Sequence, residues 1–241
     1  MLLNSLVSLE LLTKQENYYI NTRLSNLHLI KGNPHYLGDF IHHFHNMTDN
    51  WSMLRETIET GKPVSLKDLP EEVDPHDLRD FITAMHNIAS VKTEDLCSKI
   101  DLTGSKTLLD IAGGPGTYAI AFAKANPHLR AVVFDLGHVI KLTRQFIKAA
   151  HVEDRVTTQA GNCLEDTFGK NEYDAILVSN LLHIYNPANN TMILRKCWDA
   201  LKDGGQAIIH EFVLDETRTH PQFAALFSLN MLIGTQEGAS Y

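Results

Sequence analysis

Between residues 105 and 214 the chain repeats one pattern, and that pattern narrows the fold to a single class. Four runs rich in Val, Ile and Leu appear: TLLDIAG (107–113), LRAVVFDL (129–136), YDAILVSNLL (173–182) and GQAIIHEFVL (205–214). A shorter strand-like run, VTTQAGN (156–162), lies among them. The segments between have helical periodicity: TYAIAFAKANP, HVIKLTRQFIKAA and NNTMILRKCWDALKDGG. Apolar runs that alternate with helices argue a parallel sheet with helices on both faces. Ligands of such sheets lie at the carboxyl ends of the strands. The residues just after each run are therefore the informative ones.

Upstream of residue 105 the pattern is mostly helical. Leu2 to Leu12 reads as a helix, KQEN as a turn, and YYINTRLSNLHL as a short strand pair, the order in which a winged helix ends. Residues 36–60 read as one helical stretch with Trp51 and Leu54 on its apolar stripe, stopped by GKP at 61–63. LPEEVDP reads as a loop, and Pro75 to Lys99 as helix again. This divides the chain into a helical region, 1–100, and an α/β domain, 101–241.

Composition removes several function classes. The 241 residues are 44% hydrophobic and 21% charged, as in ordinary globular proteins, and the formal net charge of -8 argues against a general nucleic-acid binder. In residues 1–60, Lys14, Arg23, Lys31 and Arg55 face six acidic side chains, a poor footprint for a phosphate backbone. No run has the roughly 18 apolar residues of a membrane span, and the apolar N-terminus lacks a basic start. Three scattered cysteines fit a reducing, cytoplasmic setting. Thirteen histidines include His35, His42, His43 and His45 in HYLGDFIHHFH, but without metal-ligand spacing they read as a polar helix face.

The chemistry concentrates around LLDIAGGPGTYAI (108–120). Small residues Ala112, Gly114 and Gly116 let a ligand approach the backbone, and the next helix offers free N–H groups at its start. Asp135, 25 residues after Asp110, ends the second run, where an acid can hold two ribose hydroxyls. GPGTYA even satisfies the dinucleotide pattern G-x-G-x-x-A. Asp110 decides between ligands: a carboxylate beside this loop repels a pyrophosphate and attracts an ammonium or sulfonium. It can also cap the loop's own N–H groups, and the two roles can coexist.

With these motifs in hand, the chain resembles the S-adenosylmethionine-dependent O-methyltransferases of the caffeic acid and acetylserotonin type, with their bacterial and archaeal relatives. Four stretches carry the likeness in order and spacing: LLDIAGGPGTYAIAFAKANPHLRAVVFDLGHVI, GNCLED, YDAILVSNLLHIYNP and LKDGGQAIIHEF. SLELLTKQENYYINT resembles the end of that family's winged-helix dimerisation domain, and DFITAMHNIA its substrate-wall helix. The resemblance implies a Rossmann-like class I methyltransferase sheet behind a partial winged-helix dimerisation region, and hence a homodimer. It implies that Asp135 holds the ribose and that Asn162, in place of the family's Asp, accepts from the adenine amino group. It also implies that Cys163 packs on adenine and Ser179 contacts the cofactor. It makes His183 the general base and Glu211 the carboxylate that orients it, with Phe81 and Met85 in the substrate wall; no metal ligands are implied. Ala112 stands where the family has its first loop glycine. Family members start earlier and continue through a helix and two further strands, so the chain reads as short at both ends, with an uncovered sheet edge. The family's second glutamate near the histidine falls at about Ser240, which carries no carboxylate.

The leading reading is methyl transfer to a hydroxyl of a small aromatic or polyketide-like acceptor. A phenol has a pKa near 10 and a free imidazole one near 6.5, so a histidine can take the phenol's proton at neutral pH. Three readings compete. One is a cofactor-binding homologue that does not methylate, one an NAD-dependent oxidoreductase, and one a winged-helix regulator.

Overall fold

The computed structural model describes residues 1–63 and 74–241. Most of LPEEVDP lies outside the described residues. The N-terminal region holds α1 (Leu2–Ser8), a hairpin of β1 (Leu12–Gln15) and β2 (Tyr18–Asn21), then α2 (Arg23–His28), α3 (Gly38–Asn46), α4 (Thr48–Ser52) and α5 (Leu54–Thr60). Then come α6 (Pro75–Ser90) and α7 (Thr93–Lys99). The α/β region runs β3 (Thr107–Ile111), α8 (Thr117–Ala125), β4 (Arg130–Asp135), α9 (Gly137–Ala149), β5 (Val156–Ala160) and β6 (Tyr173–Ser179). A 3-10 turn at Leu182–Ile184, α10 (Pro187–Ala200), β7 (Leu201–His210) and α11 (Gln222–Gly234) complete it.

Local chemistry explains several boundaries that differ from the sequence reading. The first helix stops at Ser8, and Lys14 and Gln15 belong to a strand; the hairpin turns at Glu16, whose φ is 54°. RLSNLH is helix rather than strand, because the Thr22 hydroxyl accepts the Ser25 N–H at 3.2 Å and caps it. Residues 36–60 form three short helices broken at Met47 and Met53. Gly61 ends the last of them in the left-handed conformation, at φ 65°, as a C-terminal glycine does. Pro75 to Lys99 is two helices, the first begun by Asp74, whose Oδ1 accepts the His76 N–H at 2.8 Å. The KDGG segment is not helix: it bulges within β7, which pairs with β6 through Tyr173↔Leu201 and then Ala175↔Gln206.

The five-stranded sheet has the order β5-β4-β3-β6-β7, with every pair parallel. Its central strands are buried on both faces, which is why they read as unbroken apolar runs. Leu108, Val133, Ala175 and Leu177 face one core layer with Tyr118 and Phe122 of α8 and Ile147 of α9. Leu109, Ile111, Ile176 and Val178 face the other, with Ile193 and Cys197 of α10. Strand alternation splits one sequence run between two helix layers, and because every pair is parallel all the carboxyl ends emerge on one rim.

Candidate active site

The chain leaves β3 through a tight loop. Ala112 has φ 52°, Gly114 φ 55° and Gly116 φ 72°. For Ala112 this is a strained conformation, of the kind that collects at functional sites. Gly116 also lacks room: a methyl group there would stand 3.1 Å from Val133 Cγ2 and 3.3 Å from Thr143 Cγ2. Asp135, at the end of β4, ties the loop down. Its Oδ2 accepts the Gly114 N–H at 2.8 Å and its Oδ1 the Leu136 N–H at 2.7 Å. From α9, the buried Thr143 hydroxyl donates to the Gly114 carbonyl at 2.6 Å.

Asp110 does not cap this loop; Asp135 does. Asp110 is 1% exposed, and neither of its oxygens has a hydrogen-bond partner among the described residues. Gly113 makes room for it, since a methyl group on Gly113 would meet the Asp110 carboxyl carbon at 2.7 Å. Burial first, and the Asp135 charge second, push the Asp110 carboxyl up to about 7; the Ala119 N–H opposes them from beyond hydrogen-bond geometry. Burial raises Asp135 too, against the hydrogen bonds from Gly114 and Leu136. Two buried carboxylates under a glycine loop fit a ligand with a cationic group; a pyrophosphate would add to the repulsion.

After β5, Gly161 donates to the Asp135 carbonyl at 2.9 Å, which brings the next segment beside the loop. Asn162 uses its side-chain oxygen locally, accepting the Leu164 N–H at 3.0 Å, so one lone pair remains for a ligand. Cys163 is buried with its Sγ 3.6 Å from the Tyr185 hydroxyl, and burial pushes its thiol up. Lys196, reaching from α10, donates to the Cys163 and Leu164 carbonyls at 3.1 and 2.9 Å and holds the segment in place. Ser179 closes β6, its hydroxyl 2.9 Å from His210 Nδ1. His210 thus has a partner at the site's edge, as well as a Tyr118 ring edge-on at 5.6 Å.

The 3-10 turn after β6 carries His183, which is buried. Its Nδ1 lies 2.9 Å from Glu211 Oε2, just past β7. Glu211 also accepts the Leu182 N–H at 2.7 Å and the Phe212 N–H at 3.1 Å. Burial works to raise the Glu211 carboxyl, but hydrogen bonds from His183, Phe212 and Leu182 outweigh it and hold it below the usual range. Asn190 of α10 donates to the Leu182 and Tyr185 carbonyls at 2.8 and 3.1 Å, and Ala239 N–H donates to the His183 carbonyl at 2.9 Å. Phe227 stands edge-on to the His183 ring at 4.9 Å, and Phe212 lies 6.0 Å from it.

All the residues expected to hold the cofactor therefore gather at the carboxyl ends of β3, β4, β5 and β6, with His183 and Glu211 paired beside them. α6 reaches the same loop: Ile82 Cδ1 is 3.9 Å from where a methyl on Gly114 would stand. Met85 is partly buried on that helix, whereas Phe81 is exposed, 5.5 Å from the His43 ring. His86 bonds Thr117 Oγ1 at 2.8 Å and stacks on Phe146, which joins α6 to α8 and α9. Sequence reasoning missed Gly113, Thr143, Asn190, Lys196 and the phenylalanines. Only Gly113 had a local signal, as the middle residue of AGG.

Such a sheet, with a glycine loop after its central strand and an acid ending the next, is a Rossmann-like nucleoside-binding arrangement, and the buried Asp110 beneath the loop suits the cationic S-adenosylmethionine of the class I methyltransferases. Solved structures bear the class out. An O-methyltransferase family protein from Burkholderia thailandensis superposes with a TM-score of 0.87 at 26% identity, over 100% of this chain and 73% of that one. Human N-acetylserotonin methyltransferase, solved in complex with SAM, gives 0.87 at 25% identity, over 99% of this chain and 72% of that one. In sequence, the 3-hydroxy-5-methyl-1-naphthoate 3-O-methyltransferase of Streptomyces sahachiroi is 32% identical over 97% of this chain and 69% of its own length. The profile of the O-methyltransferase domain matches residues 65–240, and the chain belongs to that family. It is an S-adenosylmethionine-dependent O-methyltransferase.

Proposed function

We propose that the acceptor is a small hydroxylated aromatic molecule and that His183 is the general base that takes its proton. The observation that carries this reading is the His183–Glu211 pair. Glu211 takes up Nδ1 at 2.9 Å and leaves Nε2 without a hydrogen-bond partner among the described residues. A carboxylate on Nδ1 keeps the proton there, so that Nε2 presents a lone pair. The Phe212 and Phe227 rings beside it offer flat apolar surface for an aromatic acceptor.

The methyl donor's sulfonium supplies an activated methyl group. Asp135 would take the ribose hydroxyls and Asn162 the adenine, with Cys163 packed on the base and Ser179 and the 112–116 loop along the methionine arm. Asp110 supplies negative charge beneath the loop. His183 would take the acceptor's hydroxyl proton at Nε2, a contribution on the order of 10²–10⁴-fold; the remainder would come from holding acceptor and donor together. The naphthoate named for the Streptomyces sahachiroi relative is an acceptor of this kind.

The test is His183→Ala. The variant is expected to bind S-adenosylhomocysteine as the parent does, by thermal shift, and to lose labelled-methyl transfer to a panel of phenols by about 10²-fold or more. Unchanged turnover refutes the base role. Stabilisation of the parent by NAD and not by S-adenosylhomocysteine refutes the cofactor site.

A further inference from the structure

We infer that Lys92, over the Phe212 ring, forms a carboxylate-binding corner at the edge of the aromatic cluster around His183. It takes either the acid group of a hydroxylated aromatic acceptor or the amino-acid carboxylate of the methyl donor. The inference rests on the methyltransferase reading and adds a ligand class to it.

Lys92 lies at the joint between α6 and α7 and is partly buried. Its Nζ stands 5.4 Å from the centre of the Phe212 ring. That ring is 6.0 Å from His183 and 4.4 Å from Phe227. The ammonium and the base ring therefore sit no farther apart than the sum of the two distances through Phe212, within the span of one aromatic ligand.

A partly buried lysine ordinarily finds a counter-ion. Among the described residues, no carboxylate oxygen lies within 4.0 Å of the Lys92 ammonium. Glu211 is adjacent in sequence to Phe212, but both its oxygens are occupied by His183 and two backbone N–H groups. The other charge-bearing neighbour is His210, which burial first and Lys92 second push below the usual imidazole value, against Glu211. Asp110 is set apart behind Tyr118, whose ring stands edge-on to His210. The corner thus carries an ammonium that has no carboxylate within 4.0 Å among the described residues and that lies over an aromatic ring. One ammonium suits a carboxylate monoanion; a phosphate dianion asks for more donors.

Titration calorimetry on the full chain, with two ligand pairs, tests this. One pair is S-adenosylhomocysteine and its decarboxylated analogue; the other is a hydroxynaphthoic acid and the matching naphthol, with S-adenosylhomocysteine present. In one pair the acid is expected to bind about tenfold or more tighter than its partner without the carboxylate. Lys92→Met should reduce that preference to about threefold or less, and Lys92→Arg should restore most of it. The pair that responds identifies which carboxylate the corner holds. Equal affinities within both pairs, or a preference that survives Lys92→Met, overturn the subsite and leave the methyltransferase reading standing. Failure to bind S-adenosylhomocysteine at all overturns both. The thermal midpoint of ligand-free Lys92→Met separates misfolding from loss of recognition; a variant that unfolds early is replaced by Lys92→Gln.

Discussion

Asp110 shows what one residue contributes when it makes no hydrogen bond. In the unfolded chain an aspartate titrates near 3.9, whereas in the folded chain burial and Asp135 move it to about 7. Between those values the folded state holds a proton that the unfolded state has released, so stability falls as pH rises from about 4 to about 7. Asp110→Asn removes this cost. Its thermal midpoint is expected to exceed the parent's at pH 8, with a gap that widens from about pH 4 to about pH 7 and is flat above. In the same scans S-adenosylhomocysteine should raise the parent's midpoint at pH 8 and barely move the variant's. A gap independent of pH would show that Asp110 is ionised throughout or unimportant.

At the scale of elements, the strands are aligned from below as carefully as the site is built above. Asp174, near the start of β6, accepts the Lys106 and Thr107 N–H groups at 2.8 Å each, the Thr107 hydroxyl at 2.9 Å and Lys202 Nζ at 2.9 Å. Burial opposes ionisation, but these donors win and hold the carboxyl at about 2. The tie joins β3, β6 and β7 at their amino ends and so sets the register of the rim that carries Asp110, Ser179 and Glu211. Asp174→Asn is expected to cost about 1–3 kcal/mol in urea unfolding at neutral pH. The parent should lose this advantage as pH falls from about 4 toward 2, because the folded carboxyl titrates below the unfolded one. An equal difference at all pH values would count against the tie. The same scale explains why the N-terminal helices were misread. Apolar spacing over 36–60 is compatible with one helix or three, and tertiary packing, rather than Gly or Pro, sets the breaks at Met47 and Met53.

Across the whole molecule, the N-terminal region leaves much apolar surface outside. Leu2, Leu9, Tyr18, Ile20, Leu24 and Ile30 of this region are all exposed. We propose that a second copy covers it, so light scattering should give twice the monomer mass. Leu24→Asp with Ile20→Asp should give a monomer that still binds S-adenosylhomocysteine, since the cofactor residues all lie on the sheet rim. A parent that is monomeric at micromolar concentration refutes the dimer. No helix among the described residues is long and apolar enough to cross a membrane.

Periodicity by itself determined the α/β class, the strand positions and the rim on which a ligand lies, because strands buried on both faces must be written as continuous apolar runs. Glycine spacing and the acid at Asp135 marked the loop for the same kind of reason: backbone conformation and charge are local properties. Tertiary structure alone decided which carboxylate caps that loop, that Asp110 has no hydrogen-bond partner among the described residues, and that Phe212 lies between Lys92 and the neighbourhood of His183. Those facts depend on side chains that arrive from distant elements, and no short-range pattern in the chain encodes which of them will meet.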